Sequence, residues 1–167
     1  MILKVSLELP GDGTFLRTAR RIGHTLLEDL GVVAQDIDDV EFIVGELCTN
    51  VVRHAQMTGD RRFLLTLEYH ADRVAIIVED QGKGFSAQDI GAVGSVRPDM
   101  DGGDRIGGFG LQLVRRMADQ IIFESSDSHG TTVFAEKALH YKTSADAGEA
   151  KTLDATMEEA RGTPDAD

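Results

Sequence analysis

A chain of 167 residues with 41% hydrophobic and 28% charged side chains is sized and composed for one folded domain with a real core, too short for two full ones. Its 29 acidic residues against 17 Lys and Arg give a formal charge of −12, which excludes a surface built to displace counterions from nucleic acid or to sit on an anionic membrane. No apolar run approaches the roughly 18 residues of a membrane span, and the single cysteine, Cys48, rules out an internal disulfide and fits a reducing cytoplasm.

The N-terminus alternates as a strand over Ile2 to Leu9, with Val5, Leu7 and Leu9 on one face, and lacks the organisation of a signal peptide. After a turn at Pro10 to Gly13, Thr14 is a plausible cap for a helix that runs to about Leu30 and stops at Gly31. That helix is expected to turn Phe15, Ala19, Ile22, Leu26 and Leu30 inward, and it carries Arg17, Arg20 and Arg21 in its first half. A second helix, capped by Asp36, follows with Ile37, Val40, Val44, Leu47, Cys48, Val51 and Ala55 at helical spacing. Cys48 lies on this apolar stripe and reads as core. Arg62 to Glu68 and Arg73 to Glu79 form a hairpin across His70 to Asp72, and Phe63, Leu65 and Leu67 match Val74, Ile76 and Val78. Ser86 to Gly108 is rich in Gly, Asp and Ser and longer than a passive connection, which suits a lid or binding loop. Leu111 to Ala118 is helical, and Ile121 to Glu124 with Thr131 to Glu136 makes a closing hairpin. From about Ala138 the chain turns to Ala, Asp, Glu, Thr and Gly, the composition of a disordered tail. The expected division is a domain over 1–137 and an acidic tail over 138–167.

Three segments carry chemistry. In Glu46-Leu-Cys-Thr-Asn50-Val-Val-Arg53-His54-Ala55, the residues Glu46, Asn50 and His54 descend one column beside the apolar stripe, each step about 40° round the helix. Asn50 offers a neutral oxygen to a hard divalent cation shared with phosphate oxygens. Glu46, one turn away, can take a proton from an attacking hydroxyl or water. Arg53 is in reach of a phosphate or is simply solvated. In Asp80-Gln-Gly82-Lys-Gly84-Phe85, a carboxylate ends a strand and meets glycines that let the backbone approach a flat ring; Asp80 can accept the exocyclic amine of adenine, and Phe85 packs under the base or anchors the loop. In Gly107-Gly108-Phe109-Gly110-Leu111, glycines open a helix whose first N–H groups suit phosphates. Gly130-Thr131-Thr132 precedes the last strand as a turn.

In this order the segments resemble the N, G1 and G2 boxes of the ATPase superfamily of histidine kinases, Hsp90, gyrase and MutL (GHKL), most nearly the small bacterial anti-sigma-factor serine/threonine kinases. The resemblance covers Ile2 to Lys137, with Gly130-Thr131 similar to the last conserved turn. It implies an α/β sandwich, the Bergerat ATP-binding fold, with helices on one face of a mixed, mainly antiparallel sheet. It implies Glu46 as general base, Asn50 as Mg²⁺ ligand, Asp80 as adenine reader, Gly82, Gly84, Gly108 and Gly110 as nucleotide loops, with Phe85, Leu111, Arg53 and Thr131 around the ligand and Ser86 to Gly107 as lid. The cofactors implied are ATP and Mg²⁺, the partners a sigma factor and a small antagonist protein phosphorylated on Ser or Thr, and a homodimer is implied as well. Gln56 departs from the aromatic residue common after the His-Ala of the first box. Arg17, Arg20 and Arg21 are then expected to face an acidic partner. The competing reading is a non-catalytic module of the same fold whose nucleotide state sets its affinity for a regulator.

Overall fold

A computed structural model describes residues 1–54, 61–80, 108–126 and 130–143 of the chain. In chain order the elements are β1 (Leu3–Pro10), α1 (Leu16–Asp29), α2 (Ala34–His54), β2 (Arg62–Tyr69), β3 (Arg73–Asp80), α3 (Gly108–Met117), β4 (Gln120–Ser126) and β5 (Gly130–Ala138). The strands form one open sheet in the order β1-β2-β3-β5-β4, and every pairing is antiparallel. The register follows the alternation of the sequence: Leu65 lies opposite Val78, Leu67 opposite Ile76 and Tyr69 opposite Val74. Those side chains are buried with Phe63, Val133 and Ala135 beneath the helices, so one face of the sheet is the core and the helices form the second layer of an α/β sandwich.

The long helix α2 spans the core. Ile37, Val40, Ile43, Val44, Leu47, Cys48 and Val51 are all buried, as the 3.6-residue spacing predicts. Ala55 and Gln56 lie outside the described residues. For α1 the spacing finds part of the inner face: Ala19 is buried and Leu26 and Leu30 pack against the core as expected. Gly23 and Leu27 are buried there too, whereas Phe15 is 50% exposed and Ile22 only half-buried. Gly23 is buried where α1 meets β2, and a Cβ there would make ordinary contacts, 3.5 Å from Leu67 and 3.9 Å from the Tyr69 hydroxyl. A pattern built on large apolar residues passes over that contact.

The helix caps also differ from expectation. The Thr14 N–H donates to Asp12 Oδ1 at 2.9 Å, Phe15 occupies the cap position, and no side chain caps α1. At the other end Gly31 has φ +76°, and the Gly31 and Val32 N–H groups donate to the Glu28 and Leu27 carbonyls, a Schellman stop that only a left-handed residue completes. Asp36 does not cap α2. It sits in the first turn, 4% exposed, and its Oδ2 accepts from the His140 backbone N–H at 2.6 Å and from His140 Nδ1 at 2.9 Å.

That contact belongs to a strap beyond β5. Leu139 is buried in the core. The Val33 N–H donates to the His140 carbonyl at 2.9 Å, the Lys142 N–H to Gly31 at 2.8 Å, and Tyr141 bridges to Val32. Lys137 Nζ adds an ion pair to Asp39 at 2.8 Å. The segment 139–142 is thereby stitched to the α1–α2 turn.

Candidate functional site

α2 builds the site because its polar column runs beside its buried stripe. Glu46 is half-buried and Asn50 is 8% exposed, on the side of the helix that packs toward α3 and the sheet. Burial of an amide without a hydrogen bond is costly. The Asn50 Nδ2 nevertheless has no partner among the described residues. The carboxamide can turn either end, oxygen or nitrogen, into the space beside it.

α3 supplies the opposite wall. A Cβ placed on Gly110 would collide with the Glu46 carboxylate: its Cδ would be 2.7 Å away and its Cγ 3.4 Å, with Oε2 closer still. A side chain at 110 would require the Glu46 carboxylate to move from this position. Leu111, next in the chain, packs on the core and fixes the start of α3. The carboxylate thus lies beside the first turn of α3.

The floor is the end of β3. Asp80 is 5% exposed and lies opposite Thr131, 3% exposed, on β5 and opposite Phe63 on β2. Asp80 stands opposite Phe63, near the start of β2, and α2 packs on β3 and β5.

The structure therefore brings Glu46, Gly110 and Leu111 together and sets Asp80 beside Thr131, with Asn50 one turn along α2 from Glu46. Arg53 is exposed and makes no ion pair among the described residues. Gly82, Gly84, Phe85 and the Ser86 to Gly107 segment lie outside the described residues, and Gly108 is placed only as the first residue of α3. Cys48, on the far side of α2, is no nucleophile: burial pushes its thiol up to about 12 despite the opposing charge of Arg20. A groove of about 280 Å³ between β1 and α1, walled by Leu7, Leu9, Phe15, Thr18, Ile22 and Arg62, includes none of the candidate residues.

Two contacts were not legible beforehand. One is Glu46 against Gly110, joined across 64 positions of sequence with only the missing side chain as a signal. The other is Arg20, whose Cδ lies 2.9 Å from where a Gly45 Cβ would stand and whose Nε is buried without a partner among the described residues.

Residues 9–137 match the family model described as a histidine kinase-like ATPase domain. The chain belongs to this family. It is 30% identical over 139 residues to the serine-protein kinase RsbW of Halalkalibacterium halodurans, covering 81% of this chain and 83% of that one. It is 31% identical over 126 residues to the serine-protein kinase RsbW of Listeria innocua, covering 71% and 77%. Among solved structures, the RsbU and RsbW domains of Rv1364c from Mycobacterium tuberculosis align with a TM-score of 0.58 at 16% identity. That alignment covers 84% of this chain and 35% of the longer one, and it shows a shared fold. Among the described residues no helix is long and apolar enough to cross a membrane.

Proposed function

We propose that this protein is a Mg·ATP-dependent serine/threonine kinase and anti-sigma factor that phosphorylates a small antagonist protein, working in the cytoplasm. The observation that carries the reading is the Glu46 carboxylate beside the first turn of α3, one helical turn from the buried amide of Asn50, whose Nδ2 has no partner among the described residues. The donor types fit the ligand: the neutral amide oxygen of Asn50 suits a divalent ion shared with phosphates, and the start of a helix suits anions. The likeness to relatives named serine-protein kinases supports the choice of Ser or Thr as acceptor.

Mg·ATP, when bound, supplies the transferable phosphoryl group and a cation that draws charge from the leaving oxygens. Glu46 would take the proton of the attacking hydroxyl as the new O–P bond forms and the bond from the γ-phosphorus to the β–γ bridging oxygen breaks, with ADP as the leaving group. Asn50 presents its amide oxygen to the metal. Asp80 accepts from the adenine amine at the buried end, and the N–H groups at the start of α3 hold phosphate oxygens. Gly82, Gly84, Phe85 and Gly108 line the nucleotide and the Ser86 to Gly107 segment closes over it, with Thr131 beside Asp80. The nucleotide unit runs past the expected boundary at 137 through the strap at 139–142, where Leu139 is buried, and the acidic tail follows it. The exposed Arg17 and Arg21 flank Arg20 on α1 and offer positive charge to an acidic protein partner, the sigma factor or the antagonist, in a homodimeric kinase.

Calorimetric titration with ATP, with and without Mg²⁺, followed by incubation with a candidate antagonist and Mg·[γ-³²P]ATP, tests the reading. Magnesium-dependent binding and label on the antagonist are expected. Binding without transfer would leave the non-catalytic module, and no binding at millimolar nucleotide would remove both.

A further inference from the structure

We propose that the acidic segment Glu149 to Arg161 of this chain folds back onto the groove between β1 and α1, with Leu153 and Met157 in the groove and its carboxylates on Arg17, Arg21 and Arg62. The contact requires neither nucleotide nor phosphoryl transfer, so it is independent of the kinase reading.

The groove encloses about 280 Å³ between Leu7 on β1 and Phe15, Thr18 and Ile22 on α1. Phe15 is 50% exposed and Ile22 only half-buried. The rim is basic. Arg62 lines the groove from the sheet, Arg21 follows Thr18 round the outer side of α1, and Arg17 stands one turn before Arg21. Glu8 is the one acid in the lining. Arg17, Arg21 and Arg62 are exposed and make no ion pair among the described residues.

The helix itself does not account for these arginines. A helix is positive at its N-terminus and negative at its C-terminus, so anions suit its first turn and cations its last. α1 has the reverse order: Arg17 is in the first turn with no acid there, and Glu28 and Asp29 are in the last with no base. An acidic ligand over the first half of α1 offsets that unfavourable placement. α3 makes the contrast. Its Arg115 and Arg116 sit in the last turn, where the dipole favours them, and Arg115 stacks on Phe123 at 6.0 Å from the ring centre.

The segment matches the groove in charge, pattern and reach. It lies outside the described residues, and its sequence supplies the match. From Asp146 to Glu159 there are five acids against one base, Lys151. On a helix, Ala150, Leu153, Met157 and Ala160 share a face about 80° wide, with Glu149 and Asp154 at its two margins. Glu149 suits a first turn and Arg161 a last one, and Gly162 followed by Pro164 is a stop signal. The strap sets the starting point. Tyr141 bridges to Val32 and the Lys142 N–H donates to Gly31, so the chain leaves the fold beside the C-terminal end of α1. From Gly31, Ile22 lies about 14 Å back along α1 and Phe15 about 24 Å. The chain from Thr143 to Leu153 spans about 15 Å as helix and about 33 Å extended, enough to reach either.

A second apolar surface is a worse match in charge. Ile77, Phe134 and Ile122 stand in register on the sheet face away from the helices. Their neighbours on that face include Glu79, Glu124 and Glu136, and Arg73 there is already paired with Glu136 at 3.1 Å. An acidic segment is repelled from it.

The affinity is modest. Burying two apolar side chains contributes about 1.5–3 kcal/mol each, much of it offset by ordering the segment. Tethering supplies an effective concentration of about millimolar, so a contact that is weak between separate molecules is populated within one. The charges then decide occupancy, and salt screens them. An acidic protein partner drawn to Arg17 and Arg21 therefore has to displace the segment.

The test uses the full chain with Ala155→Cys, opposite the apolar face, carrying a nitroxide spin label; Cys48 is buried and stays unlabelled. Amide signals of the ¹⁵N-labelled chain are compared before and after ascorbate reduces the nitroxide. Strong broadening is expected at the amides of Leu7, Thr18 and Ile22 and none at those of Ile122 and Phe134. It is expected to fall in about 1 M NaCl and in Arg17→Glu/Arg21→Glu, and to vanish in Leu153→Asp/Met157→Asp. These substitutions fall on exposed or tail positions and leave the core intact. Absence of broadening at the groove, broadening centred on the open sheet face or on α3, or groove broadening that survives either set of substitutions overturns the proposal. A mixture of ¹⁵N chain without the label and ¹⁴N chain with it separates contacts within a molecule from contacts between molecules. Groove broadening in that mixture would make the occupant a second copy and would also overturn it. None of these results bears on nucleotide binding, which the titration with ATP tests separately.

Discussion

Replacing Asp36 with alanine tests whether the strap after β5 holds the start of α2. The carboxylate is 4% exposed and accepts two hydrogen bonds from His140, at 2.6 Å from the backbone N–H and 2.9 Å from Nδ1. Bonds to a charged group contribute about 1.5–3 kcal/mol each when buried. The His140 side chain is 75% exposed, so water replaces its share, and the ring bond counts for little. The backbone bond counts fully because the neighbouring Leu139 is anchored in the core. Adding the acidic first-turn contribution of about 0.3–1 kcal/mol gives a loss of about 3 kcal/mol. Against a total stability of about 5–15 kcal/mol this lowers the melting temperature by about 10 °C. Urea and calorimetric melts of Asp36→Ala, Asp36→Asn, His140→Ala and the Asp36→Ala/His140→Ala double variant measure it. Asp36→Asn keeps an acceptor oxygen and is expected to lose about half as much, and His140→Ala under about 1 kcal/mol. A loss within about 0.5 kcal/mol for Asp36→Ala would refute the reasoning and reduce Asp36 to an ordinary first-turn acid.

Three further outcomes are expected. Glu46→Ala folds and binds nucleotide but loses phosphoryl transfer to the antagonist by at least about a hundredfold, read as label on that protein; unchanged transfer removes Glu46 from the chemistry. Cys48, whose thiol burial pushes up to about 12, stays protonated in the folded chain, so 5,5′-dithiobis(2-nitrobenzoate) at pH 8 reacts at least about a hundredfold slower than after unfolding in urea, and equal rates would contradict its burial. Tyr69 is fully buried, its hydroxyl has no partner among the described residues, and burial raises its phenol above the ordinary range. The raised value means that its contribution is fully present below about pH 10 and is lost as pH climbs beyond it. Tyr69→Phe is expected to leave stability at pH 7 unchanged or up to about 1 kcal/mol higher and to flatten the alkaline fall, as measured by urea melts from pH 7 to 11.

The elements that were legible are those whose signal is local. The buried stripe of α2, the β2–β3 register and the stop at Gly31 each follow from periodicity or from one residue's conformational freedom. The inner face of α1 was legible only in part, because Gly23 buries backbone rather than side chain and carries no hydropathic weight. Asp36 misled for a different reason. An acid at the start of an apolar-periodic run reads as a cap, and nothing within the helix shows that its oxygen is taken by His140, 104 positions away. In the candidate site, the column of Glu46 and Asn50 was visible as spacing. Its meeting with Gly110 depends on β5 inserting between β3 and β4 and on α3 packing against α2, which no local pattern encodes.

α2 also explains why so few contacts position so much of the site. Its buried residues run from Ile37 to Val51 without a break, so the helix moves as a rod and its polar column keeps a fixed bearing on the core. Its N-terminal part is tied through Asp36 and Asp39 to the strap and to Lys137. Further along, Gly45 lets Arg20 lie across one side while Gly110 lets Glu46 lie against the other. At both glycines the near neighbour is a side chain: Gly45 leaves room on α2 for Arg20 of α1, and Gly110 leaves room on α3 for the Glu46 carboxylate. Substituting either changes the same quantity, the distance between Glu46 and the first turn of α3. A Gly45→Ala variant should therefore alter nucleotide affinity although it touches nothing in the site. The predicted sign is a loss in ATP affinity larger than that of Arg20→Ala, since alanine at 45 must push the Arg20 Cδ from a position 2.9 Å away, whereas deleting the arginine side chain removes the conflict. Calorimetry on the two single variants and on Gly45→Ala/Arg20→Ala decides it: if the double variant is no better than Gly45→Ala alone, α2 does not transmit the packing of α1 to Glu46.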